Sequence, residues 1–146
     1  MGELILFAED EVQQLELMQR VLEAEGYRVL AARDGIEAVA LYRRHKNEIA
    51  LVILDLKMPK LPGWDAFQEM KRDEPQLKAL VATAYLNAEV RSAMARGELH
   101  DLFIKPYTVD IFLRRVSELI RENQSRRIMR SEAPEDRRSN SSNRES

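Results

Sequence analysis

A chain of 146 residues, 45% of them hydrophobic, has material for one packed core plus an appendage, which excludes wholesale disorder. With no cysteine it can build neither a disulfide framework nor a thiolate site, and this fits a cytoplasmic location. A formal net charge of −2 argues against a general nucleic-acid binder, and no apolar run approaches the roughly 18 residues that span a bilayer.

The first element is the strand LILFA, residues 4–8, too short and without the basic flank of a secretory signal. An amphipathic helix over 12–25 follows, with Leu15, Met18, Val21 and Leu22 at helical spacing and Gly26 placed to end it. YRVLA, 27–31, reads as the second strand. Asp34 and Gly35 introduce a helix whose Ile36, Val39, Ala40 and Tyr42 are expected on one buried face. ALVILD, 50–55, is the most apolar strand, and Pro59, Pro62 and Gly63 make the loop behind it. A short helix over 65–72 stops before Pro75, and ALVATA, 79–84, is the fourth strand. Asn87 is an N-cap for a helix ending at Gly97. LFIK, 102–105, is the fifth strand, and a last helix from near Thr108 is expected to bury Ile111, Phe112, Val116, Leu119 and Ile120.

Strict alternation of strands and helices implies a five-stranded parallel sheet covered on both faces. Five such units make an α/β, flavodoxin-like doubly wound domain of order 2-1-3-4-5, with sites at the carboxyl ends of its strands. The domain is expected over residues 1–122. Residues 123–146 are polar and rich in Arg and Ser, and read as a frayed helix end or linker followed by a mobile tail.

Polar residues gather at the strand ends. Glu9 and Asp10 follow strand 1, Asp55 closes strand 3, Thr83 lies near the end of strand 4 and Lys105 ends strand 5. Singly, most have structural explanations: acids favour a helix amino end, and a strand-end hydroxyl or a lysine beside Pro106 is ordinary. Together they share one edge of a parallel sheet, where three carboxylates repel one another unless a cation intervenes. Oxygen donors without histidine or cysteine suit a hard ion such as Mg²⁺.

AEDE after strand 1, LDLKMPKLPGWDAF around strand 3, VATA at strand 4 and IKPY at strand 5 resemble the receiver domain of two-component response regulators, over residues 1–122. The resemblance implies a signalling switch rather than an enzyme acting on a separate substrate. Asp55 matches the phosphoacceptor, which takes a phosphoryl group from a histidine kinase or phosphotransferase. Glu9, Asp10, Asp55 and the backbone carbonyl of Lys57 match the Mg²⁺ site. Lys105 matches the lysine that pairs with a phosphoryl oxygen, and Thr83 the hydroxyl that swings toward the phosphate. The Lys105–Pro106 bond is a candidate cis peptide.

Two positions depart from the family pattern. Glu9 stands where aspartate is more usual, and its length suits a water-bridged metal contact, leaving Asp10 as the direct ligand. Leu102 stands where many receivers carry a switch aromatic, so the usual Thr–aromatic coupling is not expected. Lys57 and Tyr85 occupy the two variable positions flanking the phosphoryl site, where they are expected to obstruct an in-line water and slow autodephosphorylation.

The chain left after residue 122 is too short for an output domain, so the signal is expected to leave through the surface, to a protein partner that the sequence does not name. Asp101 and Arg115 match an ion pair by which DNA-binding relatives dimerise, whereas the acidic partner expected for Arg91 is replaced by Ile111. A monomer or a weak phosphorylation-dependent homodimer follows. Other readings are a non-phosphorylated pseudo-receiver that binds proteins, or a receiver cut from a hybrid kinase. A phosphohydrolase of the haloacid dehalogenase type would want a second aspartate where Lys57 stands. A nucleotide-binding module would want a G-x-G-x-x-G or P-loop motif, and neither is present.

Overall fold

Every apolar run forms a strand and every amphipathic stretch a helix in the computed structural model, which describes residues 2–77, 79–84, 86–99 and 101–132, the side chains beyond 125 excepted. In chain order they are β1 (Leu4–Ala8), α1 (Val12–Ala24), β2 (Arg28–Ala32), α2 (Gly35–His45), β3 (Ile49–Leu54), α3 (Gly63–Asp73), β4 (Ala79–Thr83), α4 (Ala88–Ala95), β5 (Asp101–Ile104) and α5 (Val109–Glu132). The strands form one parallel sheet of order β2-β1-β3-β4-β5, as the alternation predicts.

Alternate residues along a strand face opposite ways, so a strand covered on both sides must be apolar throughout. Leu6, Val52, Leu54 and Val81 pack against Val39, Tyr42, Phe67, Met70 and Val90 of α2, α3 and α4. Ile5, Phe7, Leu51, Ile53 and Leu80 pack against Leu15, Met18 and Leu22 of α1 and Phe112, Val116 and Leu119 of α5. Each such side chain contributes about 1.5–3 kcal/mol by leaving water, and this two-sided burial fixes where the carboxyl ends of the central strands lie.

Local signals set the helix ends. The Asp34 carboxylate accepts from Glu37 N at 2.8 Å and Asn87 Oδ1 accepts from Val90 N at 2.8 Å, both as N-caps. Gly26 takes φ 95° just past α1. The second strand lies one residue later than expected, and β3 stops at Leu54, leaving Asp55 just beyond it.

Two expectations fail. Ile36 and Ala40 are exposed, because the buried stripe of α2 is Gly35, Ala38, Val39 and Tyr42; small residues at 35 and 38 let the helix approach closely, and that rotates Ile36 outward. Ile111 is exposed because the buried face of α5 runs through Phe112, Val116, Leu119 and Ile120. The last helix runs to Glu132, so the frayed helix end or linker read past residue 122 is helical up to that point; no glycine or proline interrupts it before Pro134. Its continuation is tied to the sheet where Asn123 Nδ2 donates to Ala50 O at 2.9 Å. The mobile tail expected further on, residues 133–146, lies outside the described residues.

Candidate functional site

Strand register builds the site before any side chain is considered. Ala8 lies opposite Leu54 in the β1–β3 pair, so Glu9 and Asp55, the next residues, emerge side by side, and Asp55 N donates to Ala8 O at 3.0 Å. Thr83 lies opposite Ile104, and Lys105 N donates to Thr83 O at 2.9 Å. The Lys105–Pro106 peptide is cis, as expected.

Lys105 then reaches across the edge of the sheet. Its ammonium lies 2.6 Å from Glu9 Oε1 and 3.0 Å from Asp55 Oδ2. Each carboxylate also accepts from the backbone, Glu9 Oε2 from Glu11 N and Asp55 Oδ1 from Lys57 N, both at 3.2 Å. Glu9 is 3% exposed, Asp55 8% and Thr83 0%, whereas Asp10 lies open to solvent. Glu9, Asp10 and Asp55 each offer a carboxylate oxygen within 4.8 Å of the others.

The charges respond unequally. Burial pushes the Glu9 carboxyl up, Lys105 pulls it down and the neighbouring Asp55 adds repulsion; the net shift is upward. Burial alone would lower the Lys105 ammonium, but hydrogen bonds and attraction from Glu9 and Asp55 outweigh it and raise it. One cation shared between two anions satisfies the lysine more fully than either acid. With Asp10 beside them, three carboxylates face one ammonium, an arrangement that suits a further cation held by oxygen alone.

Of the residues singled out from the sequence, Glu9, Asp10, Asp55, Thr83 and Lys105 do gather at this edge, with the exposed Lys57 on the loop behind Asp55. Lys57 also borders a cavity of about 340 Å³ lined by Leu56, Met58, Pro62 and Asn87. Tyr85 lies outside the described residues. Leu102 is half-buried against the core beside α2, α3 and α4. Arg91 is exposed on α4, and the Asp101–Arg115 pair closes within the chain at 2.6 and 2.7 Å.

Sequence reasoning missed two glycines. A Cβ at Gly63 would stand 2.8 Å from the carbonyl carbon of Asp55, and one at Gly35 2.7 Å from that of Leu61. Their signal was visible but ambiguous, since glycine at a helix start also reads as a turn. Tyr107, the last residue of IKPY, stacks on Phe112 at 5.2 Å and joins Phe103 in an aromatic cluster, a contact the sequence did not signal.

The comparisons agree with this geometry. A family model described as the response regulator receiver domain matches residues 5–117. The probable transcriptional regulatory protein TcrX of Mycobacterium tuberculosis is 29% identical over 117 residues, 80% of this chain and 49% of that protein. The probable transcriptional regulator ycf27 of Porphyridium aerugineum is 32% identical over 120 residues, 82% of this chain and 48% of that protein. The chain thus spans about half the length of these curated relatives. Among solved structures, the non-phosphorylated HemR receiver domain of Leptospira biflexa has a TM-score of 0.73 at 32% identity, covering 80% of this chain and 93% of its own. A response regulator receiver domain protein of Clostridium thermocellum also has a TM-score of 0.73, at 27% identity, covering 86% and 97%. With the sheet order, the acidic edge and the family match in agreement, the chain belongs to the response regulator receiver domain family.

Proposed function

We propose that this domain is a phosphorylation-dependent switch of a two-component system, with Asp55 as phosphoacceptor. The observation that carries the reading is the Lys105 ammonium held between Glu9 and Asp55 at the carboxyl edge of the sheet. An Asp55 oxygen attacks phosphorus, the phosphorus–nitrogen bond to a donor histidine breaks, and the imidazole nitrogen keeps that electron pair. Lys105 is placed to stay with Asp55 as charge moves onto the phosphoryl oxygens. Thr83, buried at the end of β4, supplies the hydroxyl that meets the new phosphate.

The donor set fits Mg²⁺: Asp10 and Asp55 would hold it with the backbone carbonyl of Lys57, and Glu9 would assist through water. When bound, the ion supplies charge neutralisation between donor and acceptor oxygens. Incubation with Mg²⁺ and acetyl phosphate tests the reading by intact mass. The expected result is a gain of one phosphoryl group that vanishes in Asp55→Asn; an unchanged wild-type mass overturns it.

The same reading assigns Lys57 and Tyr85 the task of slowing hydrolysis by obstructing an in-line water. Autodephosphorylation should accelerate in Lys57→Asn and in Tyr85→Glu, and no acceleration in either would sink this part. Leu102 offers no ring or hydroxyl, so Thr83 works without an aromatic at position 102. The partners are a cytoplasmic histidine kinase or phosphotransferase and a downstream protein. Residues 1–122 are the switch, and the rest of α5 continues beyond it. Intramolecular pairing of Asp101 with Arg115 favours a monomer before phosphorylation.

A further inference from the structure

The loop between β3 and α3 carries Asp55 at one end and Lys57 in its first turn, so its conformation decides where both groups stand. It is held from two sides. At its far end Gly63 N donates to Leu56 O at 2.8 Å, and the missing Cβ of Gly63 lets α3 close directly onto the Asp55 backbone. In its middle, Leu61 N donates to Pro59 O at 2.7 Å and Lys60 takes φ 70°, the left-handed region that non-glycine residues seldom occupy.

Such a conformation persists only where the surroundings impose it. Here the surroundings are the amino end of α2, which belongs to a different part of the chain. Gly35 is buried there, with no room for a Cβ against the Leu61 backbone. Asp34 uses its two oxygens differently: Oδ1 caps α2 at Glu37 N, and Oδ2 faces Lys60 Nζ at 3.5 Å. The Glu37 carboxylate returns to Arg33 N at 2.9 Å, so the cap is closed on both sides. Lys60 is 66% exposed and its ion pair is weak alone. The stiff element is backbone against backbone at Gly35 and Leu61.

We propose that Asp34 and Gly35 form a positioning lock, by which the amino end of α2 holds the β3–α3 loop in the shape that sets Asp55 and the Lys57 carbonyl. The lock deepens the functional reading above and rests on it for its consequence, though not for its geometry. It makes Gly35 and Asp34 positioning residues that touch neither metal nor phosphoryl group.

Gly35→Ala is the direct test. At an open first position of a helix, alanine in place of glycine stabilises; against Leu61 it must push the loop away, so the expected sign is destabilisation. Amides of residues 57–62 should exchange faster with deuterium in the metal-free variant. Binding of Mg²⁺ alone, by calorimetry, should weaken about tenfold, the lower end of what losing an outer support costs a metal site. Asp34→Asn keeps the cap, since asparagine caps as well as aspartate, but loses the charge facing Lys60. It should show the same changes in milder form, and it decides the matter if Gly35→Ala does not fold. Asn123→Ala, which removes a hydrogen bond at the opposite end of the sheet, is the control for general loosening and should leave loop exchange and Mg²⁺ affinity unchanged. A stabilised Gly35→Ala protein, or unchanged loop exchange in the folded variant, overturns the lock. Equal Mg²⁺ affinity in wild type and Gly35→Ala overturns its functional consequence. A wild type that binds no Mg²⁺ and accepts no phosphoryl group overturns the functional reading instead, while the exchange comparison still judges the lock.

Discussion

Replacing Lys105 by methionine keeps most of the length of the side chain and deletes the charge that Glu9 and Asp55 share. Two carboxylates, 3% and 8% exposed, then face each other across the gap the ammonium filled. Removing one partner of a fully buried ion pair costs about 3–5 kcal/mol. This site is open on the Asp10 side and Lys105 keeps 21% of its side-chain surface, so water relieves part of the loss and about 1–3 kcal/mol is expected. With a urea m-value of about 1–3 kcal/mol per molar for small proteins, a loss near the middle of that range moves the unfolding midpoint by about 1 M.

The sign of the pH dependence makes the test sharper. Glu9 already sits above its ordinary value of 4.5, and Lys105 is the partner that pulls it down. Without the lysine, burial and the repulsion of Asp55 are opposed only by the Glu11 backbone N–H, so the folded state holds a proton more tightly than the unfolded chain does. A carboxyl raised in the folded state stabilises least once pH exceeds its folded value. The variant should therefore lose most stability relative to wild type at pH 8, and the gap should narrow toward pH 5 as one carboxylate takes up a proton. Urea denaturation of both proteins at the two pH values, without divalent ions, is the assay. Equal losses at both pH values, or none at pH 8, would refute the claim that Lys105 holds this carboxylate pair together.

The stability that Lys105 contributes should be lost only above the ordinary lysine value of 10.5, since Lys105 is raised by its two acids and its contribution disappears as pH climbs through the folded value; thermal melts across that range in wild type and Lys105→Met, showing the same alkaline limb in both, would count against it. Gly63→Ala should destabilise by about 2 kcal/mol or more, because the Asp55 backbone leaves no room for the methyl and α3 must shift; a midpoint equal to wild type in urea would mean that the helix start yields freely. Arg115→Ala breaks the two-point contact with Asp101 at 2.6 and 2.7 Å, and should cost about 1–2 kcal/mol while sedimentation stays that of the wild type. An oligomer that falls apart in this variant would contradict a pair closed within one chain.

The sheet was legible because double burial leaves a mark that few alternatives share. ALVIL and LILFA have no polar face to turn outward, so a covered parallel sheet is the economical solution. Its carboxyl edge then followed from topology, and with it the meeting of Glu9, Asp10, Asp55, Thr83 and Lys105. Helix faces were less legible. Ile36 looked like core by hydrophobicity, yet Gly35 and Ala38 decide which side of α2 can approach the sheet, and small residues carry no hydrophobic signal. How far α5 runs past residue 122 was left open for a related reason: a polar composition marks solvent exposure, which a helix tolerates as long as nothing breaks its backbone.

The chemistry at position 9 shows what sequence position leaves open. The glutamate's extra methylene suggested a carboxylate standing back from a metal behind a water. Folded, that length reaches Lys105, with Glu9 Oε1 closer to the ammonium than Asp55 Oδ2 is, at 2.6 against 3.0 Å. An aspartate would end about 1.5 Å shorter, the length of one carbon–carbon bond, and would leave Lys105 to Asp55 alone. Glu9 and Lys105 are 96 residues apart, so no local pattern could pair them; only the register of β1 against β3 and of β4 against β5 does. The pairing gives the proposed switch a resting state in which two of its three acids are held by the protein's own cation. Asp10, exposed and outside that arrangement, is left as the group through which a divalent ion would first be met.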